Sequence, residues 1–257
     1  MMNGTFAPAA SAAPLHRMVR AQTVMEARLL LRNGEQLVLA LVIPLVVLVA
    51  GVLAAERFDL VEGDAVGHLT PGVVALAVMS TAFTSLAIAT GFERRYGVLK
   101  WLGSSPLPRA GLLLGKTSAL LLVEVGQIGC IAAAAYALGW RPTPGAAGAL
   151  GLVLAVGLGT LAFASLGLLM AGTLRAEATL AAANLVFVLL AIGGGVVVSP
   201  REYGEVGDVL RLLPSGALHE AIASALGDGS IAWGACGVLV VWAALGSALT
   251  ARTFRWE

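Results

Sequence analysis

Six long apolar stretches alternate with charged segments along this chain. Each stretch holds about 20 or more residues nearly free of Asp, Glu, Lys and Arg, and a helix needs about 20 such residues to cross ~30 Å of hydrocarbon. The pattern predicts an all-α, polytopic membrane protein with six transmembrane helices, and we expect residues 1–257 to form one transmembrane domain. The stretches cover residues 36–55, 69–91, 117–139, 144–172, 178–198 and 231–250.

The composition agrees with a membrane protein and excludes a water-soluble fold. Hydrophobic residues make up 58% of the chain and charged residues only 12%, whereas soluble domains carry about 25% charged residues. The formal net charge of +1 says little about partners, because the distribution of charge matters more in a membrane protein. We expect membrane lipid, and no nucleic acid, around the chain.

The basic residues are concentrated in alternate connecting segments. Twelve of the 16 basic residues lie before the first span, after the second, between the fourth and fifth, or after the sixth. By the positive-inside rule, this distribution predicts cytoplasmic termini in a multi-pass protein of the cell inner (plasma) membrane. The twelve are Arg17, Arg20, Arg28, Arg32, Arg94, Arg95, Lys100, Arg109, Lys116, Arg175, Arg252 and Arg255.

The segment before the first span, residues 14–34, has the pattern of an amphipathic helix that lies along the inner surface of the membrane. Its four arginines fall mostly off the apolar stripe, and Gly34 is a plausible stop. A basic flank whose arginines only set the topology is the alternative. The stripe consists of Leu15, Met18, Val19, Gln22, Met25 and Leu29.

The inner loop at residues 92–109 predicts a short helix between the second and third spans. Tyr96, Val98, Leu99 and Leu102 can pack on one side while Glu93, Arg94, Arg95 and Lys100 remain solvated. Gly103 and Ser105-Pro106 then stop the helix, since the residue before proline disfavours helix. Such a helix could act as a lever that a cytosolic partner moves. The alternative is a turn that only anchors its two spans.

The outer segment at residues 199–230 is too short for a separate domain and too apolar for a plain linker. Leu218, Ala221, Ile222 and Ala225 recur at helical spacing after Pro214. The spacing predicts a short helix over 215–226 that dips into the outer interface. A solvated loop helix packed on its own protein fits the spacing equally well.

Polar residues inside the spans are candidates for function. Glu124 stands well inside the third span, and Gln127 shares its helix face. A charged residue near a helix centre costs about 2.5–3.5 kcal/mol, so Glu124 is either functional or a protonated, hydrogen-bonded packing residue. Asn184 and Gly193-Gly194-Gly195 in the fifth span are further candidates for a pathway, and simple packing is the alternative for each.

One stretch imitates a phosphate-binding loop without its spacing. Gly111-Leu-Leu-Leu-Gly115-Lys116-Thr117 is one residue short of G-x-x-x-x-G-K-[ST], because position 110 is Ala110. The stretch also leads into a membrane helix, where we expect Lys116 to snorkel to the inner headgroups. We therefore predict no catalytic, metal or cofactor-binding residues in this chain, and any ATP hydrolysis must come from another polypeptide.

The inner loop also carries a motif. It reads Phe92-Glu93-Arg94-Arg95 and continues with Gly97, Leu99, Leu102, Ser105-Pro106-Leu107 and Gly115-Lys116, while Leu213-Pro214 and His219-Glu220-Ala221 precede the last span. With these residues and its six spans, the chain resembles the membrane subunits of ABC exporters of the second permease type. Where that family usually has Thr-Pro, this chain has Ser105-Pro106.

The resemblance implies roles for these segments. The inner loop would be a coupling helix that docks in a cleft of a separate ATP-binding subunit, which would hold the ATP. The outer segment would be a re-entrant or interfacial element. The implied coupling residues are Glu93, Arg94, Arg95, Gly97, Leu99 and Leu102.

The sequence leaves two candidate functions for this chain. The first is a permease subunit that dimerises with a copy of itself or a homologous chain, pairs with two ATPase subunits and exports an amphipathic drug, antibiotic or lipid-like molecule. The second is a proton-coupled secondary transporter that uses Glu124 as a relay. A proton-coupled carrier works without any ATPase and stops when the proton gradient is removed. A membrane enzyme is a third possibility, but the sequence has no cluster of His, Cys, Asp or Ser with catalytic spacing.

Overall fold

The structure, a computed structural model, describes residues 13–59, 61, 63–196, 200 and 204–254. Within these residues the regular secondary structure is helical and no strand is assigned, which confirms the all-α prediction. The helices are α1 (Leu15–Arg32), α2 (Gly34–Phe58), α3 (Ala65–Met79), α4 (Leu86–Arg95), α5 (Val98–Gly103), α6 (Arg109–Ala137), α7 (Gly145–Thr173), α8 (Ala176–Gly193), α9 (Glu205–Leu210), α10 (Pro214–Ala223) and α11 (Trp233–Thr253).

Six helical stretches of the described chain are long and apolar enough to cross a membrane, as predicted. The second span joins α3 and α4 through a π-helical segment at Ser80–Ser85, so it runs to Arg95 rather than ending near residue 91. Parts of the predicted fifth span and outer segment, residues 197–199 and 201–203, lie outside the described residues, as does Arg255. The spans are Ala40–Phe58, Ala65–Arg95, Ala110–Ala137, Gly145–Thr173, Ala176–Gly193 and Trp233–Thr253.

The core is centred on α3, which packs against α2, α6, α7 and α10, while the long α7 packs along α11. Small residues permit these close approaches. A Cβ on Gly246 of α11 would lie 2.1 Å from Ser165 Oγ of α7, and a Cβ on Gly72 of α3 would lie 2.4 Å from the Val196 carbonyl oxygen. A side chain at Gly246 would crowd α7, and one at Gly72 would crowd the segment that follows α8.

Helix α10 is buried along most of its length between α3, α7 and α11. Its Leu218 lies against Gly159 of α7, and the Ala225 carbonyl that follows lies against Gly148. Gly159 is about 14 residues, or ~21 Å, into α7, so α10 starts deep between the spans and rises along α7. Hydrogen bonds to the chain that follows α8 hold α10 there: Ser215 Oγ donates to the Gly194 carbonyl at 2.8 Å, and His219 Nδ1 lies 2.9 Å from the Val196 carbonyl.

Helix α1 packs along α6 on the side of the bundle that also carries α5, called the inner side below. The packed face only partly follows the predicted apolar stripe. It is centred on buried Gln22 and Glu26, whereas Leu15, Met25 and Leu29 are exposed. The reason is local: Gln22 lies against Gly115 of α6, and Glu26 binds the neighbouring Lys116.

Candidate functional site

The short helix α5 is separated from the second span by a sharp turn. Tyr96 follows the last residue of α4, and Gly97 comes next in the left-handed conformation with φ 72°, which glycine adopts without strain. Leu99 is buried and Leu102 half-buried, in agreement with the predicted packing. The prediction that Tyr96 and Val98 also pack inward is wrong, because the turn at Gly97 breaks the helical phase on which it rested.

The outward side of this turn and α5 is an exposed apolar surface. Trp101 is 80% exposed and Tyr96 is 70% exposed. The Tyr96 ring stacks on Phe92 with centroids 6.1 Å apart, and the Arg95 guanidinium lies 5.8 Å from it. We call Tyr96, Val98 and Trp101 the coupling patch. Exposed aromatic residues in a cluster are typical of a protein contact surface.

Glu93 lies in a buried ion cluster directly before the turn. The ammonium of Lys116, whose side chain is 5% exposed, lies 2.8 Å from Glu93 Oε1 and 2.8 Å from Glu26 Oε1. Gln22 Nε2 donates a further hydrogen bond to Glu26 Oε1 at 2.7 Å. One lysine on α6 therefore joins two carboxylates, one from α1 and one from the last turn of α4.

Two predictions about this cluster are wrong. Glu93 is not a solvated residue of the predicted coupling helix, because it lies in the last turn of the preceding span and faces Lys116. Lys116 does not reach for headgroups, because both carboxylates hold its ammonium inside the protein. An ammonium so far from water is stable only when paired in this way.

Arg94 and Arg95 contact two other helices, α7 and α8, at their inner ends. A guanidinium nitrogen of Arg94 donates to the carbonyl of Leu174, the residue that ends α7. Arg95 forms an ion pair with Glu177 in the first turn of α8. The Arg94 cation at the C-terminus of α7 and the Glu177 carboxylate at the N-terminus of α8 are each favoured by the dipole of that helix. Arg95 is exposed as predicted, but both arginines contact their own chain.

The tripeptide Glu93–Arg95 is thus a clamp of three consecutive residues. Glu93 binds α6 and, through Lys116, α1; Arg94 binds the end of α7; Arg95 binds the start of α8. The coupling patch begins at the very next residue. The three residues therefore connect the end of α4, next to α5, to the inner ends of α1, α6, α7 and α8.

Glu124 and Gln127 are both buried within the bundle but contact different neighbours. Glu124 Oε2 lies 2.6 Å from Thr160 Oγ1 of α7. Gln127 Oε1 accepts from Thr81 Oγ1 at 3.0 Å, and its amide nitrogen donates to the Ala40 carbonyl of α2. Gln127 therefore ties α6 to the π-helical segment and to the first span. Both side chains join helices to one another.

Asn184 lines a groove of about 520 Å³ between α2, the second span and α8. Its amide nitrogen donates to the Leu180 carbonyl at 2.9 Å. The groove wall is apolar apart from a few hydroxyl and amide groups, and neither Glu124 nor Gln127 is part of it. The lining residues are Asn33, Ala40, Ile43, Pro44, Leu76, Ser80, Thr84, Ser85, Ile88, Ala89, Phe92, Leu180, Asn184 and Phe187.

The residues missed by sequence reasoning are the partners, Glu26, Thr160 and Glu177. Glu26 carried a signal, since it is the one acidic residue of a basic amphipathic helix and lies four positions after Gln22. Thr160 stands in a run of apolar and small residues and carried none. Among the described residues, no group of three His, Cys, Asp or Glu side chains could hold a metal ion.

The family described as ABC-2 type transporter has a sequence model that matches residues 18–214. This match covers well over half of the chain, from α1 to the first residue of α10. The six spans and the family match define a multi-pass membrane subunit of an ABC transporter. The chain belongs to the ABC-2 type transporter family. Among curated proteins, none matches the chain significantly.

Proposed function

We propose that this chain is the permease subunit of an ATP-driven exporter, with both termini in the cytoplasm and the coupling patch docked on a separate ATPase subunit. The observation that carries the proposal is the clamp at Glu93–Arg95, which lies between an exposed apolar patch and the inner ends of the spans. A residue triplet that only closed a turn would not need partners on four helices.

Docking is the first step. Trp101 and Tyr96 project away from the bundle beside the charged residues Arg95 and Lys100. Large aromatic side chains surrounded by polar groups supply most of the binding energy in protein interfaces. A cleft on an ATPase subunit that takes up these rings would move α5 whenever ATP binding or hydrolysis moves the cleft.

Transmission is the second step. Separating Lys116 from either carboxylate would leave a buried charge without its partner, and loss of one partner from a buried pair costs about 3–5 kcal/mol. We infer that α1, α4 and α6 move together at their inner ends. Arg94 and Arg95 carry the same motion to α7 and α8.

The groove that Asn184 lines is the proposed pathway. Its volume of about 520 Å³ is in the usual range for drug-sized ligands, about 300–1,000 Å³. An apolar wall with scattered hydroxyl and amide groups suits an amphipathic drug, antibiotic or lipid-like molecule. A second permease chain, identical or homologous, would complete the pathway, and rocking of the two halves would open it outward.

The proton-coupled alternative would need Glu124 to meet an aqueous path. The Glu124 side chain is fully buried and is absent from the groove wall. We therefore retain the ATP-driven function as the proposal.

Two exposed tryptophans provide the test. Trp101 belongs to the coupling patch, and Trp233, which is 70% exposed, begins the last span on the other side of the bundle. Loss of a hot-spot aromatic costs about 2 kcal/mol or more, so Trp101→Ala should sharply reduce the ATPase subunit that co-purifies with the chain. Trp233→Ala should leave it unchanged. Equal retention by both variants would refute docking at the patch.

A further inference from the structure

Helix α1 turns a positively charged face away from the protein. Arg17, Arg20, Arg28 and Arg32 are exposed, and none forms an ion pair with any residue that the structure describes. The only acidic residue of α1, Glu26, is buried against Lys116 on another side of the helix. We call these four residues the arginine face. Together with the exposed Val24, Met25 and Leu29, they line a shallow concave surface of about 830 Å³.

An apolar groove of about 810 Å³ adjoins this face between α1 and α6. Its α6 wall consists of Leu114 and Leu122, both exposed and both within the third span. These two leucines are about eight residues, or ~12 Å, apart along the helix. Arg20 and Val24 line the groove and the concave surface alike, so the charged face is continuous with an apolar track along a transmembrane helix.

We propose that this continuous surface binds an anionic phospholipid of the inner-side leaflet. Its phosphate would lie on the arginine face near Arg20, and one acyl chain would lie along Leu114 and Leu122. Charge complementarity favours an anion, because no described carboxylate neutralises the face. The span favours a lipid over a protein, because Leu122 is too far along the transmembrane helix for a cytosolic subunit to reach.

The buried cluster strengthens the assignment. Lys116 would be the natural headgroup ligand of α6, but its ammonium is held by Glu26 and Glu93. Among the described side chains of α1 and α6, the arginines of α1 are the cations that no carboxylate binds. The proposal rests on these two helices and not on ATP coupling.

The test uses the full chain in phosphatidylcholine bilayers with spin-labelled phosphatidylglycerol or spin-labelled phosphatidylcholine as the probe. The measurement is the fraction of each probe that the protein immobilises, which gives a headgroup preference. An arginine near an anionic lipid surface contributes about fivefold in affinity. We expect a several-fold preference for phosphatidylglycerol in the wild type, and a ratio near one in Arg17→Gln/Arg20→Gln/Arg28→Gln.

Arg57→Gln is the matched control, because Arg57 is an exposed arginine at the far end of the first span. It should keep the wild-type preference. Should the triple variant lose its helical circular dichroism, Arg20→Gln alone should still lower the preference, since Arg20 joins the two surfaces. An absent preference in the wild type would overturn the proposal, as would a full preference in a folded arginine variant. Loss of ATPase co-purification at unchanged lipid preference would assign the face to the protein partner instead.

Discussion

The ammonium of Lys116 lies 2.8 Å from the Glu93 carboxylate and joins the start of the third span to the last turn of α4. Both side chains are withdrawn from solvent, and Glu26 of α1 completes the cluster. The ion pair therefore connects the amphipathic helix, the inner end of the second span and the start of the third.

Reversal of the charge at Glu93 should destabilise the folded chain. Glu93→Lys places a second ammonium beside Lys116 in a buried site, and we expect a loss of about 3–5 kcal/mol, the scale for breaking a buried pair. Thermal denaturation of the purified chain in detergent measures the effect. Lys100→Glu is the control, because Lys100 is exposed on α5 and surface substitutions usually change stability by about 0.5 kcal/mol or less. Equal midpoints for the two variants would contradict the buried cluster.

The ion pair between Arg95 and Glu177 should matter for transport more than for stability. The side chain of Arg95 is 50% exposed and that of Glu177 is 62% exposed. Exposed pairs contribute about 0–1 kcal/mol to stability. Arg95→Glu should therefore fold normally but lower export. The exchange Arg95→Glu/Glu177→Arg should restore export, measured as ATP-driven efflux of an amphipathic dye that the wild-type complex accepts. A double variant no better than the single variant would remove this pair from the transmission path.

The hydrogen bond between Thr160 and Glu124 sets up a test of the proton-relay alternative. Thr160 Oγ1 lies 2.6 Å from Glu124 Oε2 and 2.8 Å from the Val156 carbonyl. A hydroxyl has one hydrogen to donate. Gln at position 124 can donate its amide hydrogen to Thr160 Oγ1 while Thr160 donates to Val156. Glu124→Gln should therefore preserve expression and export.

Glu124→Ala truncates a fully buried side chain and leaves a cavity, so it should lower stability by about 2–5 kcal/mol, the usual cost of truncating a large buried side chain to alanine. Comparison of dye efflux and denaturation midpoints for the two variants separates the roles. A stable, assembled Glu124→Gln protein without transport would return Glu124 to a proton-relay or substrate-binding function.

The purified chain alone should not hydrolyse ATP. Its Gly115-Lys116-Thr117 stretch lies within α6, and the lysine ammonium is bound by two carboxylates, so it cannot hold a phosphate. Phosphate release from the isolated chain should equal the background of empty detergent. ATPase activity that Lys116→Ala abolishes would contradict this account.

The spans and the short helix α5 could be predicted from sequence because they depend on local patterns. Runs of apolar residues predict the six spans, and Gly97, Gly103 and Ser105-Pro106 mark the ends of α5. The role of Lys116 could not be predicted in the same way. Its partner Glu26 is 90 positions away in the chain, and only the packing of α1 on α6 brings the two together. A lysine at the start of a span otherwise has the pattern of a headgroup ligand.

The clamp shows a second limit. Glu93, Arg94 and Arg95 are charged neighbours in a loop, and sequence alone gives them a solvated face. The partners of Arg94 and Arg95, Leu174 and Glu177, lie about 80 residues further on, and the Leu174 partner is a backbone carbonyl that no sequence pattern marks. The coupling role implied for these three residues stays a prediction, and the structure adds that each of them contacts its own chain.

The ratio of substrate exported to ATP hydrolysed tests the central claim most directly. In vesicles containing the complex of permease and ATPase, Arg94→Ala/Glu177→Ala should leave the ATPase subunit bound and hydrolysing ATP, because the coupling patch and Arg95 beside it are intact. The dye exported per ATP should fall about tenfold or more, which corresponds to about 1.4 kcal/mol of lost coupling. An unchanged ratio in an assembled complex would contradict transmission through the clamp.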